Sequence, residues 1–205
     1  MVEEFTKATS ALAARSLVLG YRRGSPIAGP INVDIEKGSL VLLKGSNGSG
    51  KTTFLKTAAG LLKPLSGSID APGAVLIPTR VPKVKGFTVM EFIKTFLSFY
   101  GKGSQAAASA YEKWGRNFEL EELKDRDIST LSDGQFQKVC LYPAIASGSP
   151  LILLDEPTAF LDADSRVQLM EFLSRLTRGE SPVTVIFSSH DLAVCTPYCD
   201  KVMEF

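Results

Sequence analysis

Eight consecutive residues, Gly45-Ser46-Asn47-Gly48-Ser49-Gly50-Lys51-Thr52, have the types and spacing of a site for phosphate chemistry. They fit the pattern G-x-x-x-x-G-K-[ST], in which glycines let successive backbone N–H groups point inward and surround an anion. In such a loop the lysine, here Lys51, reaches the β- and γ-phosphates, and the hydroxyl of Thr52 is a ligand for Mg²⁺. The segment therefore predicts a site for a nucleoside triphosphate with Mg²⁺, formed by Ser46, Asn47, Gly48, Ser49, Gly50, Lys51, Thr52 and Thr53.

The flanking residues supply the context that this loop requires. An apolar run, Leu40–Leu43, precedes it, and a helical pattern over Thr53–Leu62 follows it. We therefore expect a strand that leads into the loop and a helix that leads out, with the positive end of the helix dipole facing the anion. An ordinary glycine-rich turn before a helix is the alternative, and it does not account for the Lys-Thr pair.

A second chemical feature is the pair of carboxylates at Asp155 and Glu156, directly after the apolar run Leu151–Leu154. In phosphate-loop enzymes an aspartate at the end of such a strand holds Mg²⁺, directly or through water. The adjacent Glu156 is then near enough to accept a proton from an attacking water or to orient it. A strand followed by an acidic turn at Glu156-Pro157 is the alternative.

Polar residues follow four apolar runs in the sequence. Each of four apolar runs is followed by one polar segment: the phosphate loop, Thr79, the Asp155-Glu156 pair or Ser188-Ser189-His190. Open α/β sheets bind ligands at the carboxyl ends of their strands. If the four runs are parallel neighbours in one sheet, the four segments converge on one edge.

The remaining patterns predict an α/β fold with a mainly parallel sheet, an N-terminal antiparallel β part and a helical insertion. Residues 1–14 show little pattern, and a short strand is expected over Ser16–Gly20. Alternation at Ile31, Val33 and Ile35 predicts a half-buried antiparallel strand. Further strands are expected over Ser68–Asp70, Ala74–Ile77 and Val183–Phe187, and helices around Val89–Leu97 and over Gln105–Trp114, Phe118–Leu123, Ser132–Ala146 and Asp164–Arg178.

Composition limits the classes of function. The 205 residues are 44% hydrophobic and 22% charged, which indicates a globular chain with a substantial core. A net charge of +1 provides no basic excess for a nucleic-acid backbone, so nucleic acid is not an expected partner. No apolar run approaches the roughly 20 residues that span a bilayer, and Glu3 and Glu4 do not fit a signal sequence. Any membrane role is therefore expected to be peripheral.

The cysteines are few and odd in number, which is typical of a reducing cytosol. Cys140 stands alone, while Cys195 and Cys199 are four residues apart and could share a helix face. A metal-binding pair is conceivable there, but thiols packed in the core are favoured because no other ligand cluster lies nearby in the sequence.

The segment Leu131-Ser132-Asp133-Gly134-Gln135 has two interpretations. Its S-x-x-Q spacing is that of a helix capping box, which predicts that a helix begins here. A helix start is also an anion site, so the Ser132 hydroxyl and the following N–H groups could meet a phosphate.

This segment resembles the Leu-Ser-Gly-Gly-Gln signature of ATP-binding cassette (ABC) ATPases, about twenty residues before the acidic strand. The order of phosphate loop, helical insertion, signature, acidic pair, the loop with Asp162, and His190 is similar to that family over residues 16–205. The resemblance implies a phosphate-loop NTPase core in 16–85 and 147–205, a helical insertion in 86–146, and ATP and Mg²⁺ as bound groups.

The family also implies roles for single residues. Tyr21 matches the aromatic residue that stacks on adenine, and His190 matches the histidine that contacts the γ-phosphate, although a strand-end tyrosine of the core and a structural histidine are the alternatives. Asp162 matches the loop that crosses a dimer interface. Ser132, Gly134 and Gln135 match the signature groups that close on a nucleotide held by the opposite subunit. The resemblance thus implies two ATP molecules between two head-to-tail chains.

Three departures from the family pattern stand out. Thr79 occupies the position of a glutamine that touches Mg²⁺ and communicates with membrane subunits, so its own contact with the ion is expected to be water-mediated or absent. Asp133 replaces a signature glycine, as is tolerated in branches that import iron chelates and cobalamin. Pro143 follows Tyr142 inside the predicted signature helix, where we expect a kink because proline removes a hydrogen bond.

These observations favour the ATP-hydrolysing subunit of an ABC transporter. Glu156, His190 and Lys51 are expected to be catalytic, and Thr52 and Asp155 to hold Mg²⁺. The expected partners are a second ATPase chain and membrane permease subunits, at the cytoplasmic face of the membrane. A soluble ABC ATPase without a permease is the main alternative, and a phosphate-loop kinase is a weaker one because it would not need Ser132–Gln135.

Overall fold

The computed structural model describes residues 10–99, 121–179 and 182–205. In chain order the strands are β1 (Ser10–Leu19), β2 (Ala28–Glu36), β3 (Leu40–Lys44), β4 (Ser66–Asp70), β5 (Ala74–Ile77), β6 (Leu151–Leu154), β7 (Thr184–Ser188) and β8 (Lys201–Glu204). The helices are α1 (Lys51–Ala58), α2 (Val89–Phe99), α3 (Asp133–Ala146), α4 (Ala163–Thr177) and the short α5 (Leu192–Cys195), with 3₁₀ turns at Ile128–Thr130 and Thr196–Tyr198.

The described residues divide into two compact units. The larger takes its residues from Met1–Thr79, Pro150–Ala159 and Ala163–Phe205, and the smaller from Arg80–Ser149 and Phe160–Asp162. The larger unit contains both sheets, and the smaller contains α2 and α3. The predicted α/β fold class, with its parallel sheet, antiparallel part and helical portion, is confirmed.

A parallel sheet forms the centre of the larger unit. Its strand order is β5-β6-β7-β3-β8, and every neighbouring pair is parallel. All residues of β6 and β7 are buried, as is expected for strands covered on both faces. The predicted buried strand at Leu151–Leu154 is confirmed, and the one at Val183–Phe187 is shifted by one residue. The strand at Ala74–Ile77 is also confirmed, but only Val75 and Ile77 are buried, because β5 lies at the edge of the sheet. Strand β8 was not predicted, because Lys201–Glu204 is mostly exposed and has no apolar run.

The antiparallel sheet has the order β2-β1-β4, and it corrects the prediction for the N-terminal residues. Strand β1 begins at Ser10 rather than Ser16, and its first half buries Leu12 and Ala14. The pairing with β2 shifts register between Ala14 and Leu17, and Ser16 has a φ of 46°. The pairing is also irregular between Ser10 and Leu12, and the adjacent residues Ala11 and Leu12 are both buried, so the first half of the strand shows no regular alternation in the sequence.

Helix α1 ends four residues before the predicted end at Leu62. Gly60, at a φ of 73°, lies just beyond its last turn. The Leu61 N–H donates to the Lys56 carbonyl at 2.9 Å, and the Gly60 N–H to the Thr57 carbonyl at 3.0 Å. These two bonds form a Schellman motif, which closes the helix and leaves Leu61 exposed to solvent.

The smaller unit is built around aromatic packing between two helices. The centroid of the Phe92 ring lies 4.6 Å from that of Phe96, which is also on α2. It lies 5.8 Å from the ring centroid of Phe136 on α3. The predicted helices at Val89–Leu97 and Ser132–Ala146 are confirmed, and α3 continues through Pro143.

Two predicted helical pieces lie wholly or largely outside the described residues. Gln105–Trp114 is entirely outside. Of Phe118–Leu123 only residues 121–123 are described, and they lie in a turn rather than a helix. The Arg126 N–H donates to the Leu123 carbonyl at 2.9 Å within this turn.

Candidate active site

The phosphate loop joins β3 to α1, so the predicted strand–loop–helix arrangement is confirmed. Gly50 caps the helix with a φ of 112°, a conformation that side chains with a Cβ rarely adopt. A Cβ at this position would also lie only 2.9 Å from the Cβ of Ala28. Both the turn and the close packing behind it therefore require glycine at position 50.

The Lys51 ammonium is held by the loop itself. Its Nζ donates to the carbonyl of Gly45 at 2.6 Å and to that of Ser46 at 3.0 Å, and the residue is only 7% exposed. The positive charge is thus aimed at the backbone of the loop rather than at solvent. A phosphate that enters the loop would compete with these two carbonyls for the ammonium.

Asp155 is the centre of a cluster of hydroxyl groups at the carboxyl ends of the strands. Its Oδ1 accepts a hydrogen bond from Ser188 Oγ at 2.9 Å, and its Oδ2 accepts one from Thr79 Oγ1 at 3.0 Å. The hydroxyl of Thr52 lies 3.0 Å from Oδ1 and 3.1 Å from Oδ2. Asp155 is 8% exposed, so these three donors compensate most of the cost of burying its carboxylate.

These contacts confirm the expected convergence of strand ends. Thr79 lies just beyond β5, Asp155 follows β6, Ser188 ends β7, and the phosphate loop follows β3. The four strands are consecutive in the sheet, in the order β5-β6-β7-β3. Carboxylate and hydroxyl oxygens are the ligands that Mg²⁺ prefers, so the Asp155 and Thr52 side chains have the chemistry for this ion.

Glu156 and His190 form the second part of the site. His190 Nε2 lies 3.4 Å from Glu156 Oε1, with the glutamate side chain 18% and the histidine side chain 53% exposed. Glu156 has a φ of 52°, in the left-handed region, and its N–H donates to Ser188 Oγ at 2.9 Å. A carboxylate and an imidazole therefore face each other at the edge of the cluster, where water can reach both.

Two contacts were missed in the sequence interpretation. Thr79 and Ser188 are both among the polar residues that the sequence places after apolar runs, but the pattern does not predict that they bind the Asp155 carboxylate. Both are hydroxyl residues at the end of an apolar run, but only the adjacency of β5, β6 and β7 brings them to Asp155.

The signature residues lie in the smaller unit, and the predicted capping box is confirmed. The Gln135 N–H donates to Ser132 Oγ at 3.1 Å, and the Ser132 N–H donates to Gln135 Oε1 at 3.1 Å. Gly134 lies in the first turn of α3. Asp133, in the same turn, pairs with Lys83 Nζ at 2.7 Å. Asp162 belongs to this unit as well.

Tyr21 lies in the larger unit, just after β1, and is 57% exposed. An aromatic face that is open to solvent is available to stack on a flat ligand such as a purine. The structure therefore leaves the predicted stacking surface accessible.

The cysteines have the environment of packed thiols. Burial raises the pKa of Cys140 to about 12 and that of Cys199 to about 12, and it also raises the pKa of Cys195. Cys199 Sγ donates to the Cys195 carbonyl at 3.2 Å, so it faces the backbone. No cluster of three or more His, Cys, Asp or Glu side chains suited to a metal occurs in the described part of the chain.

The comparison with known proteins decides the family. A model of the ABC transporter family matches residues 28–159. This chain belongs to the ABC transporter family. As a member of it, the chain is an ATP-binding and ATP-hydrolysing transporter subunit, as predicted from the sequence. No helix among the described residues is both long enough and apolar enough to cross a bilayer.

Individual relatives of this ABC subunit agree with that assignment. The high-affinity zinc uptake system ATP-binding protein ZnuC of Bacillus subtilis (strain 168) is 31% identical, over 94% of this chain and 90% of that protein. The petrobactin import ATP-binding protein FpuD of Bacillus anthracis is 29% identical, over 94% of this chain and 77% of that protein. A solved structure described as a metal-chelate type ABC transporter in an inward-facing conformation has a TM-score of 0.85 and 26% identity, over 96% of this chain and 79% of that chain.

Proposed function

We propose that this ABC subunit hydrolyses ATP with Mg²⁺ at the cluster around Asp155, and that it powers import through membrane permease subunits. The observation that carries the proposal is the convergence of four strand ends on one buried carboxylate beside the phosphate loop. Phosphoryl transfer needs mainly positioning and charge stabilisation, and this cluster provides both. Thr52 and Asp155 would hold the Mg²⁺ ion, which neutralises charge on the β- and γ-phosphates when it is bound.

The remaining residues have separate roles in the proposed reaction. Lys51 and the loop N–H groups stabilise the charge that develops on the γ-phosphate. Glu156 accepts a proton from the attacking water, or orients that water, for in-line displacement. His190 contacts the γ-phosphate, and Tyr21 stacks on the adenine. The 3.4 Å separation of His190 Nε2 and Glu156 Oε1 supports a shared role at the γ-phosphate end of the nucleotide.

The proposed working form is a head-to-tail dimer with two ATP molecules at its interface. Ser132, Gly134 and Gln135 of each chain would close on the nucleotide of the other, with Asp162 at the interface. The support is the helix start at Ser132, because the positive end of the helix dipole there suits a phosphate. We also propose that the two compact units are parts of one ATPase domain, with residues 86–146 as its helical insertion.

Dimerisation is expected to depend on ATP. The Glu156→Gln variant with ATP and Mg²⁺ should elute as a dimer in sizing experiments, and without nucleotide as a monomer, because the interface is built around two nucleotides. Adding Ser132→Arg should prevent the dimer, because a long cation would occupy the space of the phosphate. Ser98→Arg, at an exposed position on α2, is the matched control and should leave the dimer intact. A stable dimer that contains Ser132→Arg would show that Ser132 does not face the partner's nucleotide.

Membrane partners are the second part of the proposal. The zinc uptake and petrobactin import relatives are components of import systems, and Asp133 in place of the first signature glycine favours the same branch. We therefore propose import of a metal ion or a small metal chelate, at the cytoplasmic face of the membrane. Purification of the tagged chain from its native membranes should recover a polytopic membrane protein in stoichiometric amount. Recovery of the chain alone, with full ATPase activity, would favour a soluble ABC ATPase that acts as a scaffold or remodelling partner.

A further inference from the structure

Ser188 makes two hydrogen bonds through one buried hydroxyl, and both go to the acidic pair. Its Oγ donates to Asp155 Oδ1 at 2.9 Å and accepts from the Glu156 N–H at 2.9 Å. Ser188 is completely buried as the last residue of β7. A serine hydroxyl has one proton to donate, so the proton given to Asp155 leaves the oxygen lone pairs for the Glu156 N–H.

The backbone of Glu156 is in a conformation that needs support. Its φ of 52° lies in the left-handed region, where the Cβ of an ordinary residue is crowded by the following carbonyl. The direction of the Glu156 side chain follows from this φ. The Glu156 backbone N–H donates to Ser188 Oγ, which connects the strained peptide to the end of a buried strand. This hydrogen bond is one of the interactions that stabilise the left-handed conformation.

Ser188 differs from the other two hydroxyls of the cluster. Thr52 and Thr79 donate to the Asp155 carboxylate, but their described hydrogen bonds do not involve Glu156. Ser188 alone among these three links the aspartate to the main chain of the glutamate. It is also two residues before His190, which faces Glu156 Oε1 at 3.4 Å.

We propose that Ser188 is a positioning residue for ATP hydrolysis, acting through Glu156. Its hydroxyl keeps the Glu156 peptide in the left-handed conformation and so directs the carboxylate toward the attacking water. The proposal rests on the role of Glu156 stated above. Loss of the hydroxyl lets Glu156 relax toward negative φ, which moves its carboxylate away from the water without removing any group that binds ATP.

The test compares Ser188→Ala with Thr79→Ala, which removes one donor to Asp155 and leaves Glu156 untouched. Ser188→Ala is expected to lower kcat by about ten- to a hundredfold while the affinity for ATP with Mg²⁺ changes by less than about threefold. Thr79→Ala is expected to lower kcat by less than about tenfold. A kcat for Ser188→Ala within threefold of the parent would overturn the proposal.

A double variant separates positioning from a general structural effect. If Ser188 acts through Glu156, adding Ser188→Ala to Glu156→Gln should not lower the residual turnover further. If the double variant loses further turnover by the same factor as Ser188→Ala alone, then Ser188 does not act through Glu156. If Glu156→Gln itself retains turnover, then the proposed function of Glu156 fails. This outcome is distinct from a Ser188→Ala variant whose kcat equals that of the parent, which contradicts only the role of Ser188.

Folding is checked with a second substitution at the same position. Ser188→Cys fills the space of the serine side chain with a slightly larger group, but its thiol is a weak donor and acceptor. If Ser188→Ala does not fold, Ser188→Cys should still show the lowered kcat with ATP affinity preserved. Parent-like turnover in a folded Ser188→Cys protein would overturn the proposal as well.

Discussion

Replacing Glu156 with Gln is expected to abolish steady-state ATP hydrolysis and to leave ATP binding intact. The amide keeps the shape of the side chain, but it cannot accept a proton from water. General-base catalysis contributes about 10²- to 10⁴-fold, so turnover should fall by at least about a hundredfold. Phosphate release measures the turnover, and equilibrium binding of ATP to the same preparation measures the affinity.

The position of Glu156 makes this variant a sharp test. The residue is only partly exposed and faces His190, so the substitution replaces one group of a defined cluster. Glu171→Gln makes the same chemical change at an exposed position on α4, and it should leave turnover unchanged. Near-normal hydrolysis by Glu156→Gln, with Glu171→Gln also normal, would remove Glu156 from the catalytic role.

Replacing Lys51 with Ala is expected to weaken nucleotide binding itself. The Lys51 ammonium is nearly buried and lies against the loop carbonyls, where it can turn to the β- and γ-phosphates. A hydrogen bond to a charged group is worth about 1.5–3 kcal/mol, which corresponds to roughly 10- to 150-fold in affinity. Titration with ATP and Mg²⁺ should therefore give a dissociation constant raised by at least about tenfold.

The control for this variant lies on the same helix. Lys56→Ala removes a lysine from the last turn of α1, away from the loop, and should bind ATP as the parent does. Thermal unfolding of both variants shows whether the loop remains folded once the Gly45 and Ser46 carbonyls lose their donor. A folded Lys51→Ala protein that binds ATP as tightly as the parent would refute the phosphate-loop assignment.

Local patterns in the sequence determined the phosphate loop, the acidic pair, the signature helix start and the fold class. The first three depend on residues that are adjacent in the chain, whereas the fold class follows from the order of the predicted elements. Glycines at fixed spacing set the turn of Gly45–Thr52, four apolar residues set the buried strand before Asp155, and S-x-x-Q sets the cap at Ser132. The turn and the cap are defined by hydrogen bonds within one segment, and the buried strand is marked by its own apolar run, so these features can be predicted without knowledge of the rest of the chain.

Only the tertiary structure decided which side chains meet at Asp155 and where three elements begin or end. Strand β8 is held by pairing with β3 rather than by an apolar run of its own. The first half of β1 shows no regular alternation, because its pairing is irregular and the adjacent residues Ala11 and Leu12 are both buried. Helix α1 is closed by the Schellman bonds of Gly60 and Leu61. Ser188 and Thr79 reach Asp155 because β7 and β5 flank β6 in the sheet. Strand order depends on long-range pairing and burial, which no stretch of sequence encodes by itself, so the contacts that depend on it emerge only when the chain is folded.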